Sequence, residues 1–103
     1  MLGLIHFKSQ NGYLCRKSIV KGSGIELKIY TTMPGIQIFT ANHFSNKAGK
    51  EGASYQANQG VCFETQFYPD TPNQLSFPSA ILEAGKEFYS VTEYEVLYKE
   101  HSL

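Results

Sequence analysis

Apolar and polar residues alternate with a period of two along most of the chain. Ile25, Leu27 and Ile29 are interleaved with Glu26, Lys28 and Tyr30, so Ile25–Thr32 reads as a half-buried strand. Before it, Tyr13–Val20 is a shorter mixed run closed by Lys21, Gly22, Ser23 and Gly24, a turn cluster. Two such runs around a glycine-rich turn predict a β-hairpin. Met33-Pro34-Gly35 breaks the pattern next, and Pro followed by Gly suits the two central positions of a type II turn. In Ile36–Thr40 the side chains of Ile36 and Ile38 share one face, and those of Gln37 and Phe39 share the other. Gly60–Phe67 alternates again, with Val61, Phe63, Thr65 and Phe67 against Cys62, Glu64 and Gln66.

Between these strands the period is lost. Ala41–Gln59 is a polar loop rich in Asn, Ser, Lys and Gly, unusually long for a compact domain. Tyr68–Pro78 holds Pro69, Pro72 and Pro78, which lack the amide donor a central strand needs. Ser79–Leu82 reads as a short strand, Glu83–Lys86 as a turn around Gly85, and Phe88–Tyr98 as the last long strand. No segment carries a helical period. The prediction is an all-β fold of antiparallel strands, and it looks like part of a larger β-sandwich.

Composition narrows the function. The chain has 103 residues, enough for one modest domain. Lys plus Arg and Asp plus Glu are 9 each, so no basic surplus favours nucleic acid. A neutral chain with exposed strands favours self-association. No run approaches the roughly 20 apolar residues of a membrane helix, so no membrane partner is expected. Met1–Phe7 lacks the charged region and cleavage site of a signal peptide, and a cytoplasmic location is the default. Cys15 and Cys62 read as reduced thiols. His6, His43 and His101 are far apart and form no zinc spacing, so no metal site is predicted.

The residue that carries chemistry is Glu64, in the middle of an apolar strand that disfavours Glu. Two readings fit it. One is a Glu on the solvated face of a half-exposed strand. The other is a carboxylate held on a rigid strand beside a cleft, where partial desolvation makes a better base near neutral pH. Gln66 points the same way, and Gln37 and Phe39 share a face of their own strand. Amide groups serve sugar hydroxyls, and an aromatic ring packs on the apolar face of a pyranose.

Three segments then resemble one family. Ile29–Asn42 reads IYTTMPGIQIFTAN, Gly60–Asn73 reads GVCFETQFYPDTPN, and Asn73–Ser79 reads NQLSFPS, followed by Gly85. Together they resemble the aldose 1-epimerase (galactose mutarotase) family over about Ser23–Tyr94, while Leu4–Val20 aligns only loosely. The resemblance implies a large galactose-mutarotase-like β-sandwich, a supersandwich, of which 1–103 is a single partial domain, the C-terminal third. It implies interconversion of the α and β anomers of galactose- and glucose-type sugars without cofactor or metal. It makes Glu64 the catalytic base and puts Gln37 at the sugar. Phe39 and Gln66 join as substrate-binding candidates through strand alternation. The family's acid histidine, a second sugar-binding histidine and an arginine lie upstream of this region. A sugar-binding Asp would fall at about Met1–Gly3, where the residues are Met, Leu and Gly. His6, His43 and His101 match no motif for the acid. An isolated chain of this kind is expected to have little activity, and a non-catalytic carbohydrate-binding or remnant module is the alternative.

Overall fold

Which strands pair follows from where the turns fall. The computed structural model describes residues 2–6, 14–19 and 24–98, the first two segments as backbone strands. In chain order the strands are β1 (Leu2–His6), β2 (Leu14–Ile19), β3 (Ile25–Thr31), β4 (Gly35–Phe39), β5 (Lys47–Ala48), β6 (Ser54–Tyr55), β7 (Cys62–Gln66) and β8 (Thr92–Tyr98). Short 3-10 turns occupy Lys50–Gly52 and Thr71–Asn73, and the described residues contain no α-helix. All pairings are antiparallel. One sheet has the order β1-β4-β7, a second β2-β3-β8, and β5-β6 form a small hairpin.

Period two assigns the faces. In β3, Ile29 and Thr31 are fully buried, and in β4 Ile36 is fully buried. Burying each isoleucine contributes about 1.5–3 kcal/mol. The faces carrying them look toward each other, because the Thr65 and Thr92 hydroxyls hydrogen-bond across the two sheets at 2.7 Å. Thr31 is satisfied although buried. Its hydroxyl donates to the Val91 carbonyl at 3.2 Å, meets the Thr92 hydroxyl at 3.0 Å and accepts the Met33 amide at 3.1 Å. This matches the rule that buried polar groups find partners. On the outer face, Lys28 Nζ lies 3.3 Å from Glu95 Oε2, directly opposite in register. That hydrogen bond, and then the Glu95 charge, raise the Lys28 pKa above its ordinary value.

Several sequence expectations are corrected. Ser79–Leu82 is not a strand, and β8 begins at Thr92 rather than Phe88. Proline at 78 and the turn at Gly85 leave no neighbouring strand for that segment to pair with. The apolar start forms β1, paired with β4. The polar Ala41–Gln59 segment contains the β5-β6 hairpin. Ile25, assigned to the buried face, is 41% exposed, whereas Glu26 is 3% exposed. Ile25 sits at the end of its strand opposite Tyr98, itself 72% exposed, where the inner face runs out of cover. The β2-β3 pairing agrees with the predicted hairpin, whose turn residues 21–23 lie outside the described residues, as do His101 and the rest of 99–103. The turn around Gly85 is present, with positive φ of 78° at the glycine and Lys86 N–H donating to the Glu83 carbonyl.

The type II turn at Pro34-Gly35 is not formed: Gly35 lies within β4 and has no positive φ. Its lack of a side chain serves packing instead. A Cβ there would lie 2.8 Å from Tyr68 Cε1, and the Tyr68 hydroxyl donates to the Pro34 carbonyl at 2.9 Å. Tyr68 is buried and meets Phe77 edge-on at 5.1 Å. The inner face of β8 is only partly covered, with Val96 66% exposed, and Ile81 in the loop region before β8 is 75% exposed. The radius of gyration is 17.0 Å, against about 13 Å for a closed domain of this length. The described residues leave apolar side chains in solvent.

Gly35→Ala is expected to lower stability by about 1–3 kcal/mol through overpacking against the Tyr68 ring. Denaturant unfolding of the two proteins measures it, and an unchanged midpoint would contradict the packing role.

Candidate functional site

The site is a row of side chains on the outer face of β4 and β7. Antiparallel pairing sets Phe39 opposite Cys62, Gln37 opposite Glu64 and Gly35 opposite Gln66. Residues directly opposite share a face, so the four candidates Glu64, Gln37, Phe39 and Gln66 are brought together. Two strands do this, because consecutive outward positions on each strand are two residues apart.

The amides are ordered. Gln66 Nε2 donates to Gln37 Oε1 at 3.1 Å, the diagonal contact expected on one sheet face. The Gln37 side-chain oxygen thereby has a partner. Glu64 itself is exposed, and Gln37, Phe39 and Gln66 are half-buried. The desolvated cleft expected around Glu64 is therefore not enclosed by the described residues. The carboxylate stands on an open face, because the described residues supply a floor and no opposite wall.

Aromatic groups bound the row at both ends. At one end the Tyr68 ring fills the space beside Gly35. At the other, the Phe39 ring lies 5.4 Å from His43, which lies 5.5 Å from Phe44. A cavity of about 310 Å³ opens beyond Phe39, walled by Phe44, Tyr55, Gln59, Val61 and Cys62. Cys62 is a free, exposed thiol. Sequence patterning missed Tyr68 and Phe44, which lie in aperiodic loops, and Tyr55, which lies in a two-residue strand too short to show a period. Their signal was the presence of large aromatics in otherwise polar segments. His43 belongs to this aromatic edge, and among the described residues no group of three or more His, Cys, Asp or Glu is placed to hold a metal.

The loop after β7 braces the Tyr68 end. Asp70 adopts a left-handed φ of 62° and opens the turn at Thr71–Asn73. Asn73 and Gln74 donate side-chain hydrogen bonds to its two carboxylate oxygens, and the Thr71 hydroxyl donates to the Tyr68 carbonyl. The Asn73 bond, then the Gln74 bond, hold the Asp70 carboxyl below the usual carboxylate range.

A two-sheet antiparallel arrangement with a carboxylate and two glutamines in register on one outer face defines a β-sandwich protein with a polar, aromatic-edged surface. The family described as Aldose 1-epimerase matches residues 5–95. The galactose mutarotase of Bos taurus is 39% identical over 88 residues, which are 84% of this chain and 26% of that protein. The galactose mutarotase of Homo sapiens is 38% identical over 88 residues, with the same coverage of 84% and 26%. The aldose 1-epimerase of Escherichia coli (strain K12) is 33% identical over 75 residues, 71% of this chain and 22% of that protein. The chain belongs to the aldose 1-epimerase family. It spans about a quarter of the length of the curated relatives it matches.

Because the folded-state pKa of Asp70 is lowered, its contribution is complete above the unfolded carboxylate pKa. It is lost as pH falls through the lowered folded value. Carbon-detected NMR titration should show Asp70 ionising below an unstructured Asp peptide, with Asn73→Ala moving it back up. Equal titration in the two proteins would contradict the brace.

Proposed function

We propose that this chain carries the base side of an aldose 1-epimerase site for galactose- and glucose-type sugars. The observation that supports it most is the register pairing of Gln37 with Glu64, with the Gln66 amide ordering Gln37 at 3.1 Å. In this reading Glu64 removes the proton from the anomeric hydroxyl. The ring opens as the ring oxygen gains a proton from an acid outside this chain's motifs, the C1–C2 bond rotates, and closure on the other face gives the other anomer. No cofactor or metal takes part in these steps. Gln37 donates from Nε2 to a sugar oxygen, Gln66 holds Gln37, and Phe39 packs on an apolar face of the ring. The chain acts as the C-terminal part of a sandwich that supplies the acid and the opposite wall, in the cytoplasm. The family membership and the mutarotases of similar sequence support this class of reaction.

A second reading is a non-catalytic carbohydrate-binding module of the same ancestry, favoured by the open face around Glu64. Galactose titrated into isotopically labelled chain, with anomerisation followed by polarimetry, separates the two. The sugar is expected to shift the resonances of Gln37, Glu64 and Gln66. In a chain joined to the remainder of an aldose 1-epimerase sandwich, Glu64→Gln is expected to lower the anomerisation rate about 10²–10⁴-fold. Full activity in that variant would sink the base assignment, and binding without turnover in the joined chain would favour the binding module.

A further inference from the structure

Glu64 stands on β7, at the edge of the order β1-β4-β7, so only β4 holds it within its sheet among the described residues. Yet both residues flanking it are tied to β8 of the other sheet. The Tyr94 hydroxyl donates to the Phe63 carbonyl at 2.8 Å, and that carbonyl belongs to the peptide group joining Phe63 to Glu64. On the other side, the Thr65 and Thr92 hydroxyls are 2.7 Å apart.

The threonine contacts continue into the second sheet. The Thr92 hydroxyl lies 3.0 Å from that of Thr31, which also reaches the Val91 carbonyl at 3.2 Å. Thr65, Thr92 and Thr31 thus form one line of hydroxyl contacts between the two sheets, ending in the fully buried Thr31. A buried hydroxyl left without its partner is costly, so this line resists any movement of β7 away from β8.

We infer that Tyr94 and Thr92 are positioning residues for Glu64. They grip β7 immediately before and after the carboxylate, on the face opposite the site, and set its height beside Gln37. The inference rests on the sugar-site reading of Glu64 and Gln37. Neither residue touches the sugar: both reach Glu64 from the inner face, through the backbone of Phe63 and the side chain of Thr65.

The test uses the 103-residue chain as wild type, Tyr94→Phe, Thr92→Val and Thr92→Ser, with amide hydrogen exchange and galactose titration read by NMR. Tyr94→Phe and Thr92→Val are expected to speed exchange at Glu64 and Thr65 about two- to tenfold, and to weaken galactose binding by a similar factor. Exchange at Leu27 should stay at the wild-type rate. Thr92→Ser keeps the hydroxyl and should behave as wild type. If Tyr94→Phe fails to fold, the Thr92 pair decides. Wild-type binding that is unchanged in both variants overturns the positioning role alone. An equal rise in exchange at Leu27, or a Thr92→Ser protein that behaves like Thr92→Val, marks a general loss of stability and also overturns it. A wild-type chain whose Gln37 and Glu64 resonances ignore galactose overturns the sugar-site reading, and the positioning role with it.

Discussion

The pairing of β4 with β7 is the constraint on which the rest depends. It sets Gln37 opposite Glu64 and Ile36 opposite Thr65 in one ladder. A slip of one residue would turn Glu64 and Gln66 inward and put Phe63 and Thr65 on the outside. The same register thus decides the site and the core together. The inner face of this pair holds the buried Ile36 and the Thr65 hydroxyl that reaches Thr92. The outer face holds the carboxylate, the two amides and Phe39. Neither face can be altered without disturbing the other.

Two devices keep that register. Tyr68 reaches back over Gly35 and bonds Pro34, which anchors the start of β4 against the loop that leaves β7. The Asp70 carboxylate, bonded by Asn73 and Gln74, holds that loop in shape. From the other sheet, β8 supplies Thr92 and Tyr94. The Tyr-Pro-Asp segment and the Thr-Met-Pro-Gly segment, which carry much of the family resemblance, therefore act here mainly as the frame around the site. The open side of that frame is consistent with the share of the relatives' length that the chain spans.

Alternation made the strands legible, and with them the grouping of Cys62, Glu64 and Gln66, because a period of two leaves few choices of face. It failed where local pattern and tertiary setting disagree. Ser79–Leu82 has strand-like residues but no partner, and Ile25 has the inward phase but no cover. Pro34-Gly35 has turn chemistry, yet Gly35 extends into a strand because an aromatic ring fills the space a side chain would take. Tyr68 gave no periodic signal because it lies in a loop, and Tyr55 gave none because β6 has only two residues.

By itself, then, the sequence determined the all-β class, the phase of each long strand and the presence of a carboxylate with an amide two residues along. These are local properties, written in side-chain alternation and in proline and glycine positions. Only the tertiary structure decided that Gln37 stands opposite Glu64, that Gln66 orders Gln37, and that threonines from three strands share one line of hydroxyl contacts. Such contacts join residues 27 to 61 positions apart. Their existence depends on register and on how two sheets face each other, and no local pattern encodes either.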